Sequence, residues 1–211
     1  MVKEMKICAI ADLHTLIDNF DFIPKGSVLV VAGDFSNTGA LVDAKSFNQM
    51  IATIKNKYKI IVAGNHDIAM ESNMGMAKDL LSNAIYLMDE AIIIDGVKFY
   101  GTPWQLPFND WAFNKPEKEL KEIFSMIPSD TNVLISHSPP YGILDMAYGK
   151  HLGSKSLRDR VEKIKPKYHI FGHIHEGYGR HIDEQRGITY VNASLLDGNY
   201  RYTNKPWILK I

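Results

Sequence analysis

Histidine, aspartate and asparagine residues recur in this sequence directly after apolar runs, where predicted strands end. The groups are Asp12-Leu13-His14, Gly33-Asp34, Gly64-Asn65-His66-Asp67, Ser136-His137 and Gly172-His173-Ile174-His175. Imidazole nitrogens, combined with carboxylate and amide oxygens, are ligands of borderline or hard divalent metal ions. Each residue taken singly is more often a turn, cap or core residue, but the repetition at successive strand ends indicates a hydrolase with a dinuclear metal centre.

Strands and helices alternate in the first half of the chain, and this alternation is expected to bring the groups together. Apolar runs over 6–11, 27–32 and 59–62 are predicted strands, and each ends at one of the groups. Between the second and third runs, Phe47 and Ile51 belong to one apolar face at helical spacing. This order predicts a right-handed βαβ unit, with a ligand crevice at the carboxyl ends of its strands.

The second half of the chain predicts a further sheet with helices outside it. Asp95-Gly96 separates two apolar runs and is a strong signal for a two-residue hairpin. Asn114 and Pro116 are predicted to begin a helix, with Asn114 as its cap. The other predicted elements are helices over 73–82 and 154–164 and strands over 132–135, 168–171, 188–191 and 207–211. The predicted fold class is therefore α/β (α+β), a four-layer α/β/β/α sandwich in a single domain over residues 1–211.

Composition narrows the classes of protein. The 24 acidic residues balance the 24 basic residues, so no long-range field favours a membrane or a stable nucleic-acid partner. Cys8 is the sole cysteine and lies in an apolar run, which excludes an intramolecular disulfide and predicts a core residue. Residues 1–5 do not resemble a signal peptide, and no run approaches the about 20 apolar residues of a membrane span. A soluble, cytoplasmic protein is the expectation.

The metal-binding groups, taken in order, resemble the motifs of the calcineurin-like metallophosphoesterase superfamily. The resemblance implies a sandwich of two mixed sheets that holds two divalent metal ions. The positions that match the family's ligands to one ion are Asp12, His14, Asp34 and His175, and those that match its ligands to the other are Asp34, Asn65, His137 and His173. Asp34 is thereby implied to bridge the two ions. His66 is implied to be catalytic, facing the substrate and protonating the departing alkoxide or stabilising phosphoryl charge.

The chemistry of these residue types agrees with the resemblance. Two dipositive ions against the carboxylates of Asp12 and Asp34 leave a net positive site, which attracts a phosphate locally. Two adjacent metal ions can share a hydroxide and stabilise both the attacking and the leaving oxygen at phosphorus. The donor set suits Mn, Fe, Zn or Mg without singling one out, and Mn is our working assignment. The glycines at 33, 64 and 172 are expected to let the chain turn sharply beside the ligands.

The second group narrows the reaction. Protein Ser/Thr phosphatases of the superfamily carry Gly-Asp-x-x-Asp-Arg-Gly there, whereas this chain has Gly33-Asp34-Phe35-Ser36-Asn37-Thr38-Gly39. That difference argues against a phosphoprotein phosphatase and leaves Asn37 as a neutral acceptor beside His66. Three segments, Gly101-Thr102-Pro103-Trp104-Gln105, Asn109-Asp110-Trp111-Ala112-Phe113-Asn114 and the run over 172–179, are similar to the metallophosphoesterase-domain-containing (MPPED-like) class III phosphodiesterases. This resemblance implies hydrolysis of phosphodiesters, including 2′,3′- and 3′,5′-cyclic nucleotides.

The aromatic loop over 101–114 is the predicted substrate wall. Trp104, Phe108 and Trp111 are candidate contacts to a small phosphodiester or nucleotide, together with Asn65 and His66. Packing of the same aromatic residues into the core is an equally good interpretation. The alternatives to a phosphodiesterase are a nuclease or phosphomonoesterase of the same superfamily and a non-catalytic scaffold. The sequence does not determine the oligomeric state.

Several polar residues beside the groups have a less specific interpretation. Asp67, Glu176 and Arg180 are expected to support the site or to lie at the surface. His151 and His181 belong to none of the groups and are expected at the surface. His169 lies within a predicted strand and is expected to be a hydrogen-bonded core residue.

Overall fold

The computed structural model describes residues 4–17 and 20–211. Residues 1–3, which belong to the segment expected not to be a signal peptide, lie outside the described residues. The strands are β1 (Lys6–Ile10), β2 (Val28–Ala32), β3 (Lys59–Val62), β4 (Ile85–Tyr86), β5 (Glu90–Ile94), β6 (Val97–Thr102), β7 (Val133–Ser136), β8 (Met146–Ala147), β9 (Lys150–His151), β10 (Tyr168–Phe171), β11 (Gly179–Asp183), β12 (Ile188–Asn192) and β13 (Trp207–Lys210). The helices are α1 (Leu41–Thr53), α2 (Ile68–Ser72), α3 (Ala77–Leu80), α4 (Glu117–Ser125) and α5 (Lys155–Ile164), with 3₁₀ turns at Met74–Met76 and His175–Gly177.

Two mixed sheets form the centre of the fold. One has the strand order β13-β1-β2-β3-β4, and the other has the order β11-β12-β10-β7-β6-β5. The strands β1, β2, β3 and β4 run parallel, as do β6, β7, β10 and β12, while the other edge strands, β13, β5 and β11, are antiparallel to their neighbours. The parallel strands therefore deliver the segments that follow them to the same edge of each sheet.

Alternation along the strands explains how the sheets pack. In β1, Ile7 and Ala9 join a buried cluster that also contains Val133 and Ile170 of the second sheet, so this face lies between the sheets. Cys8 and its alternate neighbours on β1 to β3 instead pack with the apolar face of α1. Burial raises the pKa of the Cys8 thiol to about 12, in keeping with a core residue.

Helices cover the outer faces. Phe47 and Ile51 of α1 are buried against the first sheet, and Leu120 of α4 and Leu157 of α5 are buried with residues of the second sheet. The hydroxyl of Ser154 caps α5 by accepting a hydrogen bond of 3.1 Å from the Leu157 amide. The predicted four-layer arrangement of helices and mixed sheets is confirmed. Among the described residues, no helix is long and apolar enough to cross a membrane.

Some predicted elements differ from the structure. The Asp95-Gly96 hairpin is present, with Ile94 paired to Val97. Asn114 does not cap a helix, because α4 begins after Pro116 and the Asn114 amide instead donates 2.9 Å to the Asn109 carbonyl within the aromatic loop. In place of the predicted helix over 73–82, the structure has a 3₁₀ turn over Met74–Met76 followed by the short helix α3, Ala77–Leu80. The strands β4, β8, β9 and β11 were not predicted; three of them span two residues each, too few for a periodic pattern.

Candidate metal centre

The sheet topology gathers the metal-binding groups at one end of the sandwich. Asp12 and His14 follow β1, Asp34 follows β2, and Asn65 follows β3, which are adjacent parallel strands. In the second sheet, His137 follows β7, and His173 and His175 follow β10, which also pair in parallel. The backbone ties the loops together, because the amides of Leu13 and His14 both donate to the Asp34 carbonyl, at 2.8 and 2.9 Å.

The backbone at these strand ends takes unusual conformations. Asp12, His14, Asp34 and His173 have positive φ angles of 55°, 46°, 54° and 69°. Such angles are uncommon for residues other than glycine, and they concentrate at functional sites, where surrounding structure holds them. Residues of these types are therefore held in costly conformations at the place where their side chains converge.

One set of converging atoms comes from Asp12, His14 and His175. The Nε2 atoms of the two histidines lie 3.3 Å apart, and Nε2 of His175 lies 3.8 Å from Oδ1 of Asp12. Asp12 is fully buried and is held by the His173 amide at 3.1 Å and by the hydroxyl of Ser194. The three side chains can each offer one ligand atom, all within 4.8 Å of one another.

A second set comes from Asp34, His137 and His173, whose ligand atoms also lie within 4.8 Å of one another. Nε2 of His137 lies 3.3 Å from Oδ2 of Asp34 and 2.9 Å from Oδ1 of Asn65. Asp34 also lies 3.7 Å from Nε2 of His14, which belongs to the first set. Asp34 therefore stands between the two sets.

The orientation of the histidines fits a metal ion at each set. Nδ1 of His137 lies 2.9 Å from the Ala32 carbonyl, and Nδ1 of His175 lies 3.1 Å from the Asp197 carbonyl. A carbonyl can only accept, so each Nδ1 carries a proton and each Nε2 lone pair faces the set. The Nε2 lone pairs and the lone pairs of the nearby carboxylate and amide oxygens repel one another unless a cation lies among them. The nitrogen and oxygen donors present suit a divalent ion.

Burial and the charges of neighbouring groups shift the pKa values of the candidate ligands. Burial lowers the pKa of His14 to about 4 and that of His173 to about 3, so both imidazoles are neutral at pH 7 and can act as ligands. Burial by itself lowers the pKa of His137, but the charge and hydrogen bonding of Asp34, together with the Asp12 charge and the Ala32 carbonyl, raise it to about 9. These surroundings favour positive charge next to Asp34, which either a proton on Nε2 of His137 or a cation bound in place of that proton would supply. Although burial opposes it, the neighbouring histidines hold the pKa of Asp34 well below its usual range.

Close approach, more than a sharp turn, explains the glycines. Gly33 has a positive φ of 94°, as the turn prediction requires, but Gly64 does not. A Cβ atom at Gly64 would lie 2.6 Å from the Asp34 backbone nitrogen and closer still to the Asp34 carboxylate. Gly172 is similar, since a Cβ there would press on the Asp12 side chain. These two positions need glycine because a ligand lies against their backbone.

Asp67 supports the site from beneath. Its side chain is 1% exposed, and it accepts hydrogen bonds from the amides of Gly64 at 2.7 Å, Asp34 at 2.9 Å and Ser36 at 2.9 Å. Burial, and then the charge of Asp34, raises the pKa of Asp67 to about 7. This carboxylate joins the loops after β2 and β3, which agrees with a supporting role.

His66 lies beside both sets with its ring fixed on two sides. Nδ1 lies 2.6 Å from the Asn37 backbone carbonyl, so the neutral acceptor expected from Asn37 is its main chain. The Trp111 ring stacks on His66, with centroids 4.0 Å apart. His66 also forms a third possible ligand set with His14 and Asp34. The geometry allows His66 to meet either a substrate or an ion.

A cavity of about 310 Å³ opens over the site. Among the predicted contacts, Asn65, His66 and Phe108 line it. Trp104 does not: it is 9% exposed, donates 2.6 Å to Asp89 through its indole nitrogen and packs edge-on against Phe113. Trp104 is therefore a packing residue, because its indole N–H is hydrogen-bonded to Asp89 inside the fold. Trp111 does not line the cavity either, and its contact with the site is its stacking on His66.

Other residues near the site were not predicted. The Tyr200 ring lies 4.9 Å from that of His14 and 5.1 Å from that of His175 and lines the cavity. Its turn is held by an ion pair of 2.7 Å between Asp197 and Arg201. His151, expected at the surface, also lines the cavity. The sequence places no recognisable motif around these residues, and their approach to the site is decided by chain folding.

The remaining side interpretations agree with the structure in part. His169 is fully buried, with Nε2 2.8 Å from the Ser136 hydroxyl. Glu176 lines the cavity. Arg180 lies outside it, over the ring of Trp207. His181 is exposed on β11.

Comparison with known proteins gives relatives over nearly the whole chain. A model of the family described as calcineurin-like phosphoesterase matches residues 5–177. Metallophosphoesterase domain-containing protein 1 of Homo sapiens is 34% identical over 233 residues, covering 98% of this chain and 71% of that protein. A UPF0046 protein of Caenorhabditis elegans is 35% identical over 222 residues, covering 98% and 75%. A solved crystal structure with 18% identity has the same fold, with a TM-score of 0.70 over 99% of both chains.

Proposed function

The chain belongs to the calcineurin-like phosphoesterase family, and from this premise we propose that it is a phosphodiesterase that cleaves cyclic nucleotides or other small phosphodiesters with two divalent metal ions. The observation that carries the proposal is the position of Asp34, within 3.7 Å of His14 in one ligand set and 3.3 Å of His137 in the other. One carboxylate shared by two sets is the arrangement that a dinuclear site requires.

The chain's own residues divide into two ligand groups around Asp34. Asp12, His14 and His175 would hold one ion, and Asn65, His137 and His173 would hold the other, with Mn as the first ion to test and Fe, Zn or Mg as alternatives. Bound in pairs, such ions supply Lewis acidity at phosphoryl oxygens and make water more acidic. The carbonyls of Ala32 and Asp197 fix the ring orientation of His137 and His175.

His66 is proposed to serve the leaving group. Because its Nδ1 donates to the Asn37 carbonyl, Nε2 is the nitrogen left for the substrate. Stacking on Trp111 holds the ring in the cavity wall. When the ring carries a second proton at Nε2, it can transfer that proton to the departing alkoxide oxygen and return to the neutral form, a step that contributes about 10²- to 10⁴-fold in rate.

The cavity supports a small substrate. Its volume of about 310 Å³ lies at the lower end of the range for small-molecule sites. Apolar side chains such as Leu106 and Phe108 join the polar end of the cavity, so a substrate with a phosphate and an apolar ring matches the lining. We propose that the partner is a small phosphodiester, without a stable nucleic-acid partner.

One assay tests the proposal. The protein is stripped of metal, reloaded with Mn, Fe, Zn or Mg in turn, and given bis(p-nitrophenyl) phosphate, cyclic nucleotides, p-nitrophenyl phosphate and single-stranded DNA. We expect metal-dependent turnover, with the diesters cleaved faster than the monoester or DNA. A preference for the monoester or for DNA would instead support the phosphatase or nuclease alternative. Absence of turnover with every metal would support the non-catalytic scaffold.

A further inference from the structure

A histidine outside the metal-binding sets also faces the cavity. His151 ends the short hairpin of β8 and β9, and the hairpin residues Ala147, Tyr148 and His151 all line the cavity over the metal centre. The side chain of His151 is 39% exposed. It belongs to none of the ligand sets found among the described residues. His151 is therefore placed to meet whatever part of a substrate extends beyond the metal centre.

A buried carboxylate fixes the orientation of His151. Asp145 is 1% exposed, and its Oδ1 lies 2.7 Å from Nδ1 of His151. Its other oxygen accepts from the amides of Gly142 at 2.8 Å and Gly153 at 3.0 Å, which close the base of the hairpin. Asp145 cannot move without losing these backbone hydrogen bonds, so the imidazole that it holds is positioned in advance.

The other ring nitrogen of His151 is left for a ligand. A carboxylate can only accept, so Nδ1 carries the proton toward Asp145. In the neutral ring, Nε2 is then an acceptor on the opposite edge, and no hydrogen bond to it is present within residues 4–17 and 20–211. Tyr141 supports the ring, with its centroid 5.2 Å away. A rigid acceptor in a cavity is suited to a hydroxyl donor.

We infer that His151, oriented by Asp145, is a specificity-determining residue that accepts a hydrogen bond from a hydroxyl group of the diester, such as the free hydroxyl of a ribose ring. This inference rests on the proposed function, because it concerns the same cavity. His66 and the ligand sets act at phosphorus. Of the neighbours of His151 in the cavity wall, Ala147 and Leu152 have no side-chain acceptor, and Tyr148 is 90% exposed, so its hydroxyl is not held in position. His151 supplies a fixed acceptor for the rest of the substrate.

The test compares 3′,5′-cyclic AMP with its 2′-deoxy analogue, which lacks the free hydroxyl. For the wild type we expect kcat/KM to favour the ribonucleotide by about 3- to 10-fold, the net value of one neutral hydrogen bond. In His151→Asn, the amide nitrogen can still donate to Asp145, but the acceptor at Nε2 is removed. The ratio of the two kcat/KM values should fall to about 1 in this variant.

A second variant and a control separate substrate contact from folding. His151→Phe keeps a ring against Tyr141 and removes both nitrogens, so its ratio should also fall to about 1. His181→Asn makes the same change at an exposed histidine outside the cavity and should keep the wild-type ratio. The Kd values of AMP and 2′-deoxy-AMP for the metal-loaded protein, measured by calorimetry, should show the same differences.

The outcomes distinguish this inference from the proposed function. Metal-dependent cleavage of bis(p-nitrophenyl) phosphate by a wild type that treats the two nucleotides alike would overturn the role of His151 and leave the phosphodiesterase standing. A wild-type ratio that survives in both His151 variants would do the same. Absence of any metal-dependent turnover would overturn both.

Discussion

The backbone amide of Asp34 donates a hydrogen bond of 2.9 Å to the buried carboxylate of Asp67. The side chain of Asp34 faces both ligand sets, while its main chain is anchored by a residue that reaches neither set. Asp67 thereby holds the loop that carries the shared carboxylate against the loop after β3. The position of the candidate bridging ligand depends on this contact.

Asp67→Ala is expected to destabilise the protein. It would leave the amides of Gly64, Asp34 and Ser36 buried without their acceptor, and each unsatisfied group costs about 1–3 kcal/mol. We expect a loss on the order of 3 kcal/mol or more in the free energy of unfolding, measured by urea denaturation. Asp110→Ala, at an exposed position, is the control. Equal unfolding midpoints for both variants would contradict the anchoring role of Asp67.

Asp34→Ala should abolish binding of both metal ions, because each ligand set loses the carboxylate that it shares. Asp12→Ala removes a carboxylate from one set and should reduce the metal content from about two ions to about one per chain. Elemental analysis of purified, dialysed protein measures both values. If Asp34→Ala retained as much metal as the wild type, Asp34 would not bridge the ions.

His66→Ala should retain both metal ions and lose about 10²- to 10⁴-fold in kcat on a cyclic nucleotide, whose alkoxide leaving group needs a proton. The loss should be smaller with bis(p-nitrophenyl) phosphate, because p-nitrophenolate departs without protonation. Comparison of the two substrates in one preparation measures this difference. A variant with reduced metal content would instead assign His66 to the ligand set that it can form with His14 and Asp34.

Gly64→Ala should impair the metal centre because the new methyl group would overlap the backbone and carboxylate of Asp34. We expect weaker metal binding and a lower melting temperature, measured by metal titration and by calorimetry. Gly75→Ala makes the same substitution where nothing lies within 4 Å, and φ there is not positive, so it serves as the matched control. Unchanged metal affinity in Gly64→Ala would show that the loops can move apart without consequence.

Trp104 and Phe108 should respond differently to substitution. Trp104→Phe removes the buried indole donor to Asp89 and should lower the free energy of unfolding by about 1–3 kcal/mol, with little change in KM. Phe108→Ala removes an exposed ring from the cavity wall and should raise KM for nucleotides more than it changes stability. Kinetics and urea denaturation of both variants measure this contrast. A larger rise in KM for Trp104→Phe than for Phe108→Ala would show that Trp104 contacts the substrate.

The sequence by itself determined the strands that carry the metal-binding groups and the kind of chemistry that these residues support. Apolar runs such as 59–62 are local signals, because burial on both faces of a parallel strand requires continuous apolar residues. The Asp95-Gly96 hairpin is also local, since its turn needs positive φ at both residues. Once the strands are parallel, His137 and His173 must arrive at the same edge of the sheet.

Only the tertiary structure decided what surrounds those ligands. Asp145 and His151 meet across a hairpin too short to show a period, and Trp104 is directed into the core by an acceptor at Asp89. His66 is held by the main chain of Asn37, a contact that no side-chain motif records. These contacts cross a short hairpin, join separate elements of the chain or involve backbone atoms that every residue has. Their partners are therefore set by packing of the whole chain, and residue type and spacing do not encode them.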